Sequence, residues 1–88
     1  MTENLPMATP DPMRLEVAIE TDADRTALQQ ALLRARATEL GEVRRNEVRL
    51  SAGYGDTSTR ATMSQELSRA RRRLEMLDRL LRAIRSTV

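Results

Sequence analysis

The chain has 88 residues, enough for one small domain, and its 15 basic residues, all Arg, stand against 13 acidic ones for a net charge of +2. It contains no Cys and no His, which excludes zinc fingers, iron–sulfur ligation, disulfides and thiol or imidazole nucleophiles. Its single aromatic residue is Tyr54, so the core must be aliphatic and, at this length, thin. We therefore expect the chain to gain burial by oligomerising or by docking on another protein.

The N-terminal residues differ in composition from the rest. Residues 1–13 carry three Pro and little that could pack, which predicts a flexible arm in front of one domain at 14–88. The arm has no basic residue, unlike a signal peptide, and no apolar run approaches the roughly 20 residues needed to cross a bilayer. We expect a cytoplasmic protein that does not enter a membrane.

A short extended segment is predicted next. Leu15, Val17 and Ile19 alternate with Glu16, Ala18 and Glu20, and this period of two is typical of a strand. A lone strand is not stable, so the segment must add to another edge, pair with its copy in a dimer or lie over a helix.

The first helix is predicted from Thr21 onward. Thr21 suits an N-cap, and the acids that follow it favour the positive end of the helix dipole. Strong helix formers continue to about residue 50. Its apolar side is expected to consist of Leu28, Leu32, Ala35, Leu40 and Val43.

Residues 46–61 allow two interpretations. The alternation of Val48, Leu50, Ala52 and Tyr54 is that of a strand, and Gly55 could turn the chain into a β-hairpin. The other interpretation continues the helix to about residue 50 and makes 51–56 a helix–helix loop. The second is favoured because it gives two helices of nearly equal length, as an antiparallel hairpin needs.

The clearest pattern lies in the second predicted helix, at about 58–86. Thr62 to Gln65 has the form of a capping box. From there apolar residues recur at alternating spacings of four and three, an a/d seam over three heptads. This predicted interaction seam consists of Met63, Leu67, Ala70, Leu74, Leu77, Leu81 and Ile84.

The Arg residues concentrate on this second helix. Residues 58–88 hold eight Arg and three acids, a net of +5, and Arg72, Arg79 and Arg82 share its polar face. Such a face could follow phosphates or an acidic protein, but Glu75 and Asp78 lie among the Arg residues and no aromatic is available to stack bases. The pattern favours a solvated, salt-bridged face and argues against nucleic acid as the partner.

The loop predicted between the helices carries Gly53, Tyr54, Gly55 and Asp56. An aromatic and an acid at a loop tip suit a contact point, although Tyr54 folded back over the hairpin base is the simpler interpretation. Neither this loop nor any other stretch has the residues of a phosphate loop, an oxygen-ligand metal site or a nucleophile with its base. We expect no enzyme activity, no metal and no cofactor.

Residues 51–84 resemble the descending helix of the coiled-coil hairpin factors that enter the RNA polymerase secondary channel, the DksA/TraR-like and Gre-like proteins. In the former an acidic tip precedes a segment beginning Asp-Arg-Ala, and Asp56 and Arg60 to Thr62 fall in similar places. In the latter a Gly-Asp pair opens the tip, similar to Gly55 and Asp56. The chain departs from both families because Thr59 stands where a second acid belongs and the zinc-finger or globular module is absent. The resemblance implies a transcription regulator.

A second resemblance is to small phage head–tail joining proteins of the gpW type, which run helix, β-hairpin, helix. It requires a strand at 48–54 and implies a structural connector protein.

Together these patterns predict a mainly α fold, an antiparallel helical hairpin of about 22–50 and 58–86 behind a short extended segment. One hairpin leaves Leu33, Met76 and Leu80 exposed, so we expect a homodimer or a hetero-complex to complete the fold. The predicted function is a non-enzymatic protein–protein interaction module, with the polymerase-channel regulator and the phage connector as alternatives.

Overall fold

The computed structural model describes residues 12–86, which fold as two antiparallel helices, α1 (Asp22–Ser51) and α2 (Thr57–Ser86). Each helix has 30 residues and is therefore about 45 Å long. The mainly α hairpin is confirmed, with helix bounds within one residue of those predicted. Most of the predicted arm, residues 1–11, lies outside the described residues, as do residues 87–88.

Helix α1 begins where its capping residue predicts. The Asp24 backbone N–H donates to Thr21 Oγ1 at 3.0 Å, and Asp22 and Asp24 occupy the first turn. The helix continues through Val48 and Leu50, so the favoured interpretation of 46–61, a helix end followed by a loop, is confirmed and the alternative β-hairpin is not formed. Apart from Gly41, mostly strong helix formers precede this stretch, and extending the helix keeps Leu50 packed on the core.

The first part of the loop is a Schellman motif. Gly53 has φ +72°, its N–H donates to Leu50 O at 3.1 Å, and the N–H of Tyr54 donates to Arg49 O at 2.9 Å. These two bonds satisfy carbonyls that the end of α1 would otherwise leave without partners. The motif therefore ends α1 and turns the chain toward α2.

Helix α2 begins earlier than its predicted capping box. Asp56 is the N-cap, since its Oδ1 accepts from the Thr59 N–H at 2.8 Å and its backbone oxygen accepts from the Arg60 N–H at 2.9 Å. Thr62 is inside the helix, where its hydroxyl donates to Ser58 O at 3.2 Å. The expectation of a cap at Thr62 is wrong because Asp56 offers a capping carboxylate one and a half turns earlier.

The predicted seam of α2 packs against α1. Leu74 is half-buried and the other members are buried: Met63, Leu67, Ala70, Leu77, Leu81 and Ile84. Val43 of α1 forms a cluster with Leu67 and Ala70, and Leu50 packs against that cluster. Ala70 is the most completely buried of them, and its small side chain is suited to a close approach of the two helices.

Five of the eight residues in the facing row of α1 are polar, which the apolar stripe of the sequence did not predict. It has the same alternating spacings as the seam of α2, and its members are buried or half-buried: Arg25, Gln29, Leu32, Arg36, Glu39, Val43, Asn46 and Leu50. Asn46 is only 4% exposed and its Nδ2 donates to Glu42 O, one turn back in its own helix. The predicted contact residue Leu28 lies beside this row and is exposed.

Ion pairs between the helices accompany this polar row. Arg36 Nε lies 2.6 Å from Asp78 Oδ1, and Arg73 Nε lies 2.9 Å from Glu39 Oε1. Arg71 and Glu47 form a third bridge at 2.7 Å. All three join α1 to α2, so the acids and Arg residues nearest the seam help to set the register of the hairpin.

Residues 12–20 form neither helix nor strand, and residues 12–86 contain no strand at all. The extended segment predicted at 15–19 is therefore not part of a sheet, because the described part of the chain offers no second strand with which it could pair. The segment instead lies beside the helices at the open end of the hairpin, where α1 begins and α2 ends. This is the third of the arrangements that the sequence allowed.

Candidate protein interaction surface

The predicted interaction seam lies inside the hairpin. Because its residues pack on α1 of the same chain, the seam joins the two helices of one hairpin and is not available to a second protein. Any partner must therefore bind elsewhere on the hairpin.

An apolar groove lies at the open end of the hairpin. Its volume is about 550 Å³. Helix residues Leu28, Leu32, Leu80 and Ile84 line it, together with Leu15, Val17 and Ile19 of the N-terminal segment. We call this set the open-end groove.

The open-end groove is only partly covered by the N-terminal segment. Leu15 is 83% exposed and Val17 is 67% exposed, although both line the groove. On the helices, Leu28 and Leu80 are also exposed. Contiguous exposed apolar side chains of this kind mark interaction surfaces, since water is a poor solvent for them.

The predicted exposed flank residues fall on two sides of the hairpin. Leu33, Met76 and Leu80 are all exposed. Met76 lies one turn before Leu80 and extends the apolar surface beyond the groove. Leu33 lies on the other side, beside a second cavity of about 310 Å³ that Arg36, Asp78, Leu81, Arg82 and Arg85 also line. The apolar surface is therefore concentrated around the open-end groove.

The predicted basic face is fully on the surface. Arg72, Arg79 and Arg82 are exposed, and none of them forms an ion pair within residues 12–86. The sequence predicted that Asp78 would neutralise this face, but the structure turns Asp78 toward Arg36 of α1. The face therefore keeps more net positive charge than the sequence indicated.

Acidic side chains gather at the other edge of the open end. They are exposed and form no ion pair with the described part of the chain: Glu16, Glu20, Asp22 and Asp24. Residues 12–24 contain these four acids and one Arg, a net of −3. The hairpin thus carries separated negative and positive edges.

At the loop tip, Tyr54 and Asp56 have different roles. Tyr54 is 58% exposed, and the guanidinium carbon of Arg49 lies 5.7 Å from the centre of its ring, a cation–π contact. Asp56 is the N-cap of α2, and the hydrogen bond from the Thr59 N–H holds the pKa of its carboxyl below the usual 3.8. The capping bond accounts for Asp56, and Tyr54 lies against the end of α1.

Replacing Asp56 tests this capping role through pH. Hydrogen bonding favours the carboxylate, so its stabilising effect is fully present well above pH 3.8 and is lost as the pH falls through the lower native pKa. We expect Asp56→Ala to lower the urea midpoint at pH 6, and the difference from wild type to shrink at pH 3. Asp56→Asn should keep most of the cap and show a weaker pH dependence. Equal midpoints for wild type and Asp56→Ala at pH 6 would rule out the cap.

The groove was missed at the sequence level although its members were visible. Leu15 and Val17 were assigned to a strand, and Leu28 was assigned to the core. The sequence does contain a signal for the groove: Leu28, Met76 and Leu80 are apolar but belong neither to the seam of α2 nor to the facing row of α1.

No group of three or more acidic side chains among residues 12–86 is placed to hold a metal ion. Neither α1 nor α2 is apolar enough along its length to cross a membrane. Comparisons with protein-family models, curated proteins and solved structures found no match to this chain.

Proposed function

We propose that this chain is a non-enzymatic protein–protein interaction module of the cytoplasm, a coiled-coil hairpin that works inside a larger assembly. The observation that carries the proposal is the exposed open-end groove. The hairpin uses its complete apolar seam internally, yet it leaves a second apolar surface in solvent at one end. In this proposal the seam builds the scaffold and the groove binds the partner.

The energetics of the hairpin support the same proposal. The described residues bury seven apolar side chains and one Asn, a small core for two helices of 30 residues. Burial of one further Leu contributes about 1.5–3 kcal/mol, so covering Leu15, Leu28 and Leu80 would add appreciably to such a core. A partner on the groove would therefore stabilise the fold as well as bind it.

The two alternative functions, the polymerase-channel regulator and the phage connector, are supported only by resemblance of sequence pattern. Asp56, the acid that the polymerase-channel resemblance places at the tip, is engaged in capping α2. The strand that the phage-connector resemblance requires is helical from Val48 to Ser51. No contact in the hairpin favours either function over a general interaction module.

Site-directed photo-cross-linking tests the proposal directly. A photoreactive amino acid is placed at Leu80 in the groove, and in a matched protein at Val48, which is more exposed than Leu80 but lies near the loop. After irradiation in an extract of the native cells, we expect discrete higher-mass adducts from position 80 and far fewer from position 48. Similar labelling from both positions would contradict the proposal.

A further inference from the structure

We propose that the occupant of the open-end groove is a second copy of this chain, bound by two-fold symmetry. This inference rests on the proposed function and names the partner at the same surface. It is drawn from the arrangement of charge around the groove, which is self-complementary.

The centre of the open-end groove is apolar, and its side chains are exposed on both helices. Leu28 of α1 and Leu80 of α2 line the groove and are exposed, as are Leu15 and Val17 of the N-terminal segment. Two such patches placed face to face would remove each other's apolar side chains from water, which is the dominant favourable term in association.

The edges of the patch carry opposite charge. The edge formed by the N-terminal segment and the start of α1 bears Glu16, Glu20 and Asp24. The edge formed by α2 bears Arg72 and Arg79, which lie on the same helical row as the apolar Met76. None of these five charged side chains has an ion-pair partner within residues 12–86.

The acids lie at the open end of the hairpin, whereas Arg79 and Arg72 lie about two and four turns before the end of α2. A two-fold axis that passes through the apolar centre and runs oblique to the helices therefore satisfies both features at once. It places the acidic edge of each hairpin opposite the basic edge of the other and brings the two apolar centres together. An isologous dimer requires a surface that is complementary to its own copy, and the open-end groove with its two charged edges meets this requirement.

This arrangement favours a second copy over an unrelated protein. A purely basic partner would leave Arg72 and Arg79 opposed by like charge, and a purely acidic one would do the same to Glu16 and Glu20. Such like-charge contacts suppress wrong partners. The chain itself supplies both signs at the required edges.

Sedimentation equilibrium of the purified full chain tests the proposal. The chain has a mass of 10.0 kDa, and we expect a reversible monomer–dimer equilibrium whose dimer has twice that mass. Leu80→Glu should raise the dissociation constant at least about tenfold, because it buries a charge at the apolar centre. Val48→Glu, at an exposed site near the loop, should leave the constant unchanged. Circular dichroism confirms that each variant is helical.

Charge reversal supplies a second test that leaves the apolar residues intact. Glu16→Arg with Glu20→Arg should weaken the dimer at least about tenfold, and so should Arg72→Glu with Arg79→Glu. Combining all four substitutions should restore much of the affinity. If neither pair of charge reversals changes the dissociation constant, or if Leu80→Glu leaves it unchanged, the proposal is wrong.

The two proposals fail in distinguishable ways. If the purified chain is a monomer at all concentrations while position 80 cross-links a different protein in the extract, the proposal of a second copy in the groove is wrong. The proposal of an interaction module is then supported. If position 80 also gives no adducts above those of position 48, both proposals are wrong.

Discussion

Leu67→Ala is expected to lower the free energy of unfolding by about 2–5 kcal/mol, because truncating a buried Leu removes apolar burial and leaves a cavity. Leu67 is buried in the cluster that it forms with Val43 and Ala70. Since native domains are stable by only about 5–15 kcal/mol, a loss of this size is a large share of the total. Urea denaturation followed by the helical circular dichroism signal measures the change.

Val48→Ala is the matched control for Leu67→Ala. It also truncates an aliphatic side chain, but Val48 is exposed and is not a member of the cluster. We expect a change within about 0.5 kcal/mol. Both titrations are run at one protein concentration, because dimerisation would make apparent stability depend on concentration. If the two variants lose equal stability, the seam is not the core of the fold.

Gly55→Ala is expected to cost about 1–3 kcal/mol, the second largest effect. Gly55 has φ +86°, a conformation that residues with a Cβ adopt only at a cost. A Cβ built on Gly55 would also lie 2.8 Å from Thr59 Cγ2, so the first turn of α2 would have to shift. The substitution therefore strains the turn and weakens the start of α2, and urea denaturation again measures the loss.

Gly41→Ala makes the opposite prediction for the same chemical change. Gly41 lies inside α1, and the atom that its Cβ would meet is a flexible Arg45 nitrogen at 3.9 Å, an ordinary contact. Ala is favoured over Gly in a helix interior by about 0.5–1 kcal/mol, so this variant should be more stable than wild type. Two variants that shift stability in the same direction would contradict the backbone conformations described for this hairpin.

The sequence was sufficient where every heptad position was apolar. The seam of α2 has unbroken spacings of four and three, so Leu67, Leu77 and Leu81 were identified as a buried row without a structure. The same rule was insufficient for α1, where Arg36, Glu39 and Asn46 occupy equivalent positions. Hydrophobic periodicity does not register a polar side chain that is buried or half-buried with its partner, which lies on the other helix for Arg36 and Glu39 and on α1 itself for Asn46.

The loop shows the corresponding limit for turns. The glycines indicated a turn, but two interpretations remained because alternation at Val48 to Tyr54 fits a strand as well as a helix end. The helical outcome depends on Leu50 packing on the Val43 cluster and on the two carbonyl bonds made by Gly53 and Tyr54. The two carbonyl bonds are local, but the cluster includes Leu67 and Ala70 of the second helix, so the packing of Leu50 cannot be predicted from residues 46–61 alone.

The class of this protein follows from its amino-acid pattern: two helices of equal length, an aliphatic seam and an Arg-rich second helix, with no Cys or His chemistry. Local propensity and periodicity carry that information because each acts over a few residues. The tertiary structure is needed to see which charged side chains form ion pairs within the hairpin and which face outward. Asp78 pairs with Arg36, whereas Arg72 and Arg79 form no ion pair within residues 12–86. The tertiary structure also placed the N-terminal segment beside Leu28 and Leu80, because burial of apolar surface joins residues that are far apart in the chain.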